Sequence, residues 1–110
     1  MPTATMNVNG KVDINTFVDQ AAKLAKSLDA NTALIYNHSG HTVKFYCYNG
    51  GDFIKAIAYS KPNIASGYAG EIAAGGSVFK VHPNNEGKHE FLVKPKHAYI
   101  FRGPGKIEQV

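Results

Sequence analysis

The sequence predicts a mainly β domain: an antiparallel β-sandwich of about seven or eight short strands, with one amphipathic helix near the N-terminus. Three observations predict it. From Thr32 onward the apolar residues alternate with polar ones, the period of a half-buried strand. Clusters of Gly, Pro, Asn and Ser interrupt these runs about every 8–12 residues. Only residues 14–28 carry apolar residues at helical spacing. The 110 residues, 44% hydrophobic, suffice for one core and not for two, so residues 1–110 read as a single domain.

At the N-terminus, Thr3 to Val8 alternates and is followed by Asn9-Gly10, a hairpin signal. The helix follows. Ile14, Phe17, Val18, Ala21, Leu24, Ala25 and Leu28 fall on one face, and Asn15, Asp19, Gln20, Lys23, Lys26 and Ser27 on the other. Asp13 or Asn15 caps its start, and Lys23 and Lys26 sit near the negative end of its dipole. Its polar face has balanced charge and its apolar face carries alanines, so docking on a sheet is expected over insertion into a membrane interface.

Strands are expected at Thr32–Tyr36, His41–Asn49, Phe53–Tyr59, Tyr68–Ala73, Ser77–His82, Glu90–Val93, His97–Arg102 and Lys106–Gln109. Asn37-His38-Ser39-Gly40, Gly50-Gly51, Ser60-Lys61-Pro62-Asn63, Pro83 to Gly87 and Lys94-Pro95-Lys96 are the turns between them. In the second strand Val43, Phe45 and Cys47 share one face; Lys44, Tyr46 and Tyr48 share the other. Cys47, the only cysteine, therefore reads as a core residue, and no disulfide framework is possible. Asn37-His38-Ser39 fits a glycosylation sequon but reads as a turn.

Charge narrows the partners. Twelve Lys and Arg stand against eight Asp and Glu, a net +4, and the whole excess lies beyond residue 39. Only Arg102 is an arginine, the residue type that reads base edges and clamps phosphate, so no specific nucleic-acid partner is expected. A lysine excess fits solubility and diffuse attraction to anionic lipid or glycan surfaces. No apolar run reaches the ~18 residues of a membrane-spanning helix. The first residues lack a basic stretch followed by an apolar one, so the cytoplasm or leaderless export is expected.

Catalytic patterns are weak. His38, His41, His82, His89 and His97 are spaced 3, 41, 7 and 8 apart, so no two share a helical turn. His38 and His41 can meet across a turn, and with Asp52 or Glu90 would form a transition-metal site. That leaves a small His-dependent hydrolase or metal enzyme as an alternative. There is no Gly-x-Ser-x-Gly elbow. A carboxylate pair would have to come from Asp52, Glu71, Glu86 and Glu90. Gly70 to Ser77 approaches a phosphate loop, but Gly76 stands where the lysine is required and a strand pattern follows. The expected protein is not an enzyme and needs no cofactor or metal.

The aromatic pattern is more informative. Tyr46 and Tyr48 face away from the presumed core beside Lys44, Tyr59 ends the next strand, and Tyr68 lies in a Gly-rich loop. Tyrosine rings with polar tips suit sugar stacking, quaternary-ammonium headgroups or a protein interface. The competing expectation is that the helix covers this face and makes Tyr46 and Tyr48 core-lining.

The segment Val12 to Leu28, the strand Ala33 to Tyr36, the turn Asn37 to Thr42, the strand Phe45-Tyr46-Cys47-Tyr48 and the Pro62 to Gly67 turn together resemble actinoporin-like cytolysins and fungal lectin-type β-sandwiches. The resemblance implies a sandwich that recognises a lipid headgroup or glycan through clustered tyrosines. In the cytolysins an N-terminal helix then inserts and oligomerises. This chain is much shorter, has no Trp and lacks an aromatic-rich membrane loop, which favours binding over pore formation. The expected function is lectin-like or defence-type binding through Tyr46, Tyr48, Tyr59, Tyr68, Lys44 and Lys55, with possible homo-oligomers adding avidity. The alternative of another class is an oligomerising structural or interaction module without a small ligand.

Overall fold

The computed structural model describes residues 10–48, 62–73, 79–83, 91–103 and 105–110. Among them the chain is mainly β with one helix, as expected. The order is α1 (Ile14–Lys26), β1 (Thr32–Asn37), β2 (Val43–Tyr48), β3 (Asn63–Ile64), β4 (Ala69–Ala73), β5 (Phe79–Pro83), β6 (Phe91–Val93), β7 (Ala98–Gly103) and β8 (Lys106–Gln109). No helix among the described residues is long and apolar enough to cross a membrane. The N-terminal hairpin and the strand expected at 53–59 lie outside the described residues.

The strands pair in two sheets, ordered β4-β1-β7-β8 and β3-β2-β5-β6. The expectation of purely antiparallel pairing fails at one place: β1 and β7 run parallel, with Leu34 opposite Ala98 and Tyr36 opposite Ile100. The first sheet is therefore mixed. A parallel neighbour cannot be reached by a hairpin, so the chain builds β2 to β6 before β7 returns beside β1. β3 lies in what reads from sequence as the end of a turn. It spans only Asn63 and Ile64, opposite Lys44 and Val43.

Both faces of β1 are covered, and its alternation divides the core. Ala33 and Ile35 join Val43, Phe45, Ile64, Ile72, Val93, Tyr99 and Phe101 in one apolar cluster drawn from strands of both sheets. Phe45 meets Phe101 edge-on at 5.2 Å. Leu34 and Tyr36 turn the other way, with Ala69, Ala98 and Ile100, against Phe17, Ala21 and Ala25 of α1. The small residues Ala21, Ala25 and Ala98 let helix and sheet approach closely. Val18, expected on the apolar face, is 51% exposed: it lies beyond the edge of the stripe that Phe17, Ala21 and Ala25 define.

The helix is fixed at both ends. The Asp13 carboxylate accepts from the Asn15 amide at 3.0 Å. At the other end the Lys96 ammonium reaches back from the β6–β7 turn and donates to the carbonyls of Lys26 and Leu28. These carbonyls have no intrahelical donor, and a cation there also opposes the helix dipole. Lys96 holds φ at 61°, a left-handed conformation that is costly for a residue with a Cβ. Its amide donates to the Thr32 carbonyl at 2.8 Å, which fixes the turn. Lys96→Ala should lower stability in urea unfolding by about 1–2 kcal/mol. Lys96→Gly should cost less, because glycine relaxes the left-handed backbone while losing the same cap. A glycine variant less stable than the alanine one would refute the backbone part of this account.

Two tyrosines tie the core to flanking segments. The Tyr36 hydroxyl donates to the Val12 carbonyl at 2.9 Å, and the Tyr99 hydroxyl accepts from the Lys94 amide at 2.8 Å. Burial raises the Tyr36 pKa above 10.0, and the nearby Asp13 charge adds to it. Burial also raises that of Tyr99, partly offset by the Lys94 hydrogen bond. The folded state thus keeps protons that the unfolded chain releases. The stabilisation is complete below pH 10.0 and is lost as pH rises through the raised folded values. Tyr36→Phe should cost about 1 kcal/mol at neutral pH through the lost hydrogen bond. It should also flatten the alkaline decline of stability, read by chemical unfolding at neutral pH and above pH 10.0.

Candidate functional site

The turn after β1 is organised by one side chain. Asn37 is fully buried. Its Nδ2 donates to the carbonyls of His41 and Ile64, each at 2.7 Å. Its Oδ1 accepts from the Ser39 amide at 3.0 Å and the Ser39 hydroxyl at 2.7 Å. Its own amide donates to Tyr68 and its carbonyl accepts from Gly67. The sequon asparagine is thus a structural clamp between β1, the turn and the 62–68 segment. Gly40, at φ 88°, closes the turn and donates its amide to the Ser66 hydroxyl at 2.9 Å.

The clamp positions the start of β2 and, with it, the outer face of the second sheet. Val43 and Phe45 point into the core; Lys44 and Tyr46 face out, both half-buried. The Lys44 ammonium sits 5.8 Å from the centre of the Tyr46 ring, a cation–π pair. The exposed Asn63 lies opposite Lys44 on β3. On β6 the 55% exposed Leu92 pairs with Lys80, which in turn pairs with Tyr48. The helix does not cover this face. It packs on the first sheet, so the expectation that α1 shields Tyr46 is corrected. The reason is complementarity: Leu34, Tyr36, Ala98 and Ile100 offer an apolar face to the helix, whereas Lys44 and Asn63 do not.

Of the expected ligand-binding residues, the structure brings Lys44 and Tyr46 into contact. Tyr48 is placed in β2, its side chain being outside what is described, as is that of Cys47. Tyr59 and Lys55 lie outside the described residues. Tyr68 is 37% exposed, paired through its backbone with Lys11 beside β4, and does not stand on the Tyr46 face. It lines a groove of about 120 Å³ between the β3 and β4 segments, with Pro62, Asn63, Ile64, Gly70 and Glu71 among its walls. Asn63, which sequence reasoning treated as a turn residue, borders both features. The Pro62-Asn63 pair behind an alternating run was the only available signal.

Among the described residues the histidines form no metal centre. The His38 ring is exposed and stacks on Tyr36 at 5.9 Å. His41 is exposed, and its carbonyl is held by Asn37 and Ser39. Asp52 and Glu90, the carboxylates considered with them, lie outside the described residues. Among the described residues no three His, Cys, Asp or Glu side chains gather as a metal-binding group.

Comparison with protein-family models, with curated proteins and with solved structures returns no match. Asn37→Ala should take from the buried Ile64 carbonyl its side-chain donor and from the Ser39 amide and hydroxyl their acceptor, and cost about 3 kcal/mol. Asn37→Asp should be worse at neutral pH than at pH 4, because an ionised carboxylate would face the carbonyls of His41 and Ile64. Thermal unfolding of both variants at the two pH values checks the order.

Proposed function

We propose that the chain is a non-catalytic binding protein that takes a glycan or lipid headgroup on the outer face of its second sheet, with the two sheets acting as a β-sandwich scaffold. The observation that carries this reading is the Lys44–Tyr46 pair on a face that the helix leaves uncovered. A ring with a cation beside it offers stacking area and a charged donor in one place. These are the requirements of a polyhydroxylated or zwitterionic ligand. Half-burial of Tyr46 supports it too, since a ring packed on one side is held rigid and loses little rotamer freedom on binding.

The test is binding of the full chain to a glycan array and to vesicles of phosphatidylcholine, sphingomyelin or phosphatidylserine. Tyr46→Ala should weaken binding to whichever class is retained by about tenfold, the equivalent of ~1.4 kcal/mol. Lys44→Gln should weaken it less, and more at low salt than at high salt. Circular dichroism should show both variants folded. Failure of the unmodified chain to bind either class would sink the reading. So would Tyr46→Ala binding as well as the unmodified chain.

A further inference from the structure

The outer edge of β8 is open and carries charges of both signs. β8 closes the first sheet, and among the described residues it pairs with β7 alone. The Val110 amide donates to the Ala98 carbonyl at 2.9 Å. Hydrogen bonds alternate along an antiparallel strand, so Glu108, opposite Ile100, also turns its amide and carbonyl toward β7. Ile107 and Gln109 turn theirs away from the sheet. An edge with unmade backbone bonds is a template for another strand. The opposite edge of this sheet is partly taken: Gly10 accepts from the Ala69 amide, and Lys11 bridges to Tyr68. In the second sheet the edge strands β3 and β6 are shorter than β8, with two and three residues against four.

The side chains select the strand that fits. Lys106 and Glu108 are exposed on one face of β8, and Ile107 lies on the other, against the core. Lys106 makes no ion pair among the described residues. Glu108 is held by Arg102, but both bonds reach Oε1 and leave Oε2 open. An edge of one sign would repel its own copy. This edge attracts it, and in one register. A two-fold axis through Ile107 sets two β8 strands antiparallel, so each contact occurs twice. Ile107 and its copy then exchange backbone hydrogen bonds, and Gln109 meets the partner's Gly105. Lys106 stands opposite the partner's Glu108 in a pair without hydrogen bonds, where Cα atoms come within about 4.5 Å. Shifting the pairing by two residues either way keeps the outward groups matched. It sets Glu108 against its own copy, or Lys106 against its own, and like charges directly opposite are destabilising.

We propose that the β8 edge is a self-association surface: two copies pair antiparallel about Ile107 and join their first sheets into one continuous sheet. Four residues a side make a small interface, so the association is weak and grows with concentration. It is independent of the ligand reading, because Tyr46 stands on the second sheet.

The test is sedimentation of the full chain from about 10 µM to about 1 mM, at low and high salt. The unmodified chain should pass from monomer toward dimer across this range, and salt should weaken the dimer. Lys106→Glu and Glu108→Lys should each weaken self-association about tenfold or more, since each sets like charges opposite at both pairs. Mixed in equal amounts, the two variants should form a heterodimer, because every pair is again opposite in sign. The double variant carrying both changes should recover most of the self-association. Gln109→Pro removes only an outward-facing amide, so it should leave the fold intact and weaken the dimer. Circular dichroism checks that each variant is folded. A chain that stays monomeric throughout the range overturns the inference. So does a dimer that the charge variants leave unchanged, or a pair of variants that do not associate when mixed.

Discussion

A primary amide sealed from water holds this structure together. Asn37 uses both of its amide hydrogens, its side-chain oxygen and both backbone groups, with partners at His41, Ile64, Ser39, Tyr68 and Gly67. Few side chains reach that degree of satisfaction, and burial makes it obligatory, since each unmade bond would leave a polar group without water. The partners belong to both sheets. β1 and the segment leading to β4 are in the first, Ile64 of β3 is in the second, and His41 leads into β2. One residue thereby sets how the two sheets meet at this end.

From that anchor the layers follow. β1 is flanked by β4 and β7 and buried on both faces, so its side chains must serve two cores. Even positions meet the helix and odd positions meet the second sheet. A strand with neither face in water cannot show clean alternation of apolar and polar residues, and Ala33-Leu34-Ile35-Tyr36 shows none. Such a run is the mark of a central strand with a parallel neighbour, and β1 has one in β7. The Lys96 ammonium then joins the far end of the helix to the turn that delivers β7. Helix, turn and parallel strand are thus fixed by local bonds as well as by the apolar core.

What could be read from the residues follows the range of the forces involved. The helix was legible because its stripe and its caps are local; Asp13 and the Lys23 and Lys26 positions stand where spacing put them. β8 was legible to the residue and β2 within two because alternation and turn residues bound them, and β1 and β7 within one because turn residues bound an apolar run. The β1–β7 pairing was not, because register between strands sixty residues apart leaves no local trace. β3 was missed since two residues after a proline carry no period at all. Asn37 looked like any turn asparagine, and its burial is a tertiary fact. Likewise the site: that Lys44 and Tyr46 face outward was legible from β2 alone, whereas the side on which the helix packs depended on Leu34, Tyr36, Ala98 and Ile100 acting together. Tyr68 was expected beside Tyr46, yet the fold gives it a groove of its own.

The face that the helix leaves open carries a contact of modest strength. At a partly exposed site a lysine over a tyrosine ring contributes about 0.5–1 kcal/mol. On the proposed reading, a ring or headgroup that replaces the ammonium on the Tyr46 face gives up that contribution and gains contact with an aromatic surface already held in place. The displaced ammonium stays within reach as a donor, because the lysine stem is long and flexible. The contrast with Tyr36 is instructive. Its hydroxyl is tied to Val12, its ring lies 5.1 Å from that of Phe17, and it is buried beneath the helix, so it serves stability alone. On the proposed reading, two tyrosines on consecutive strands thus take opposite roles, because α1 packs on the first sheet and does not cover Tyr46 on the second.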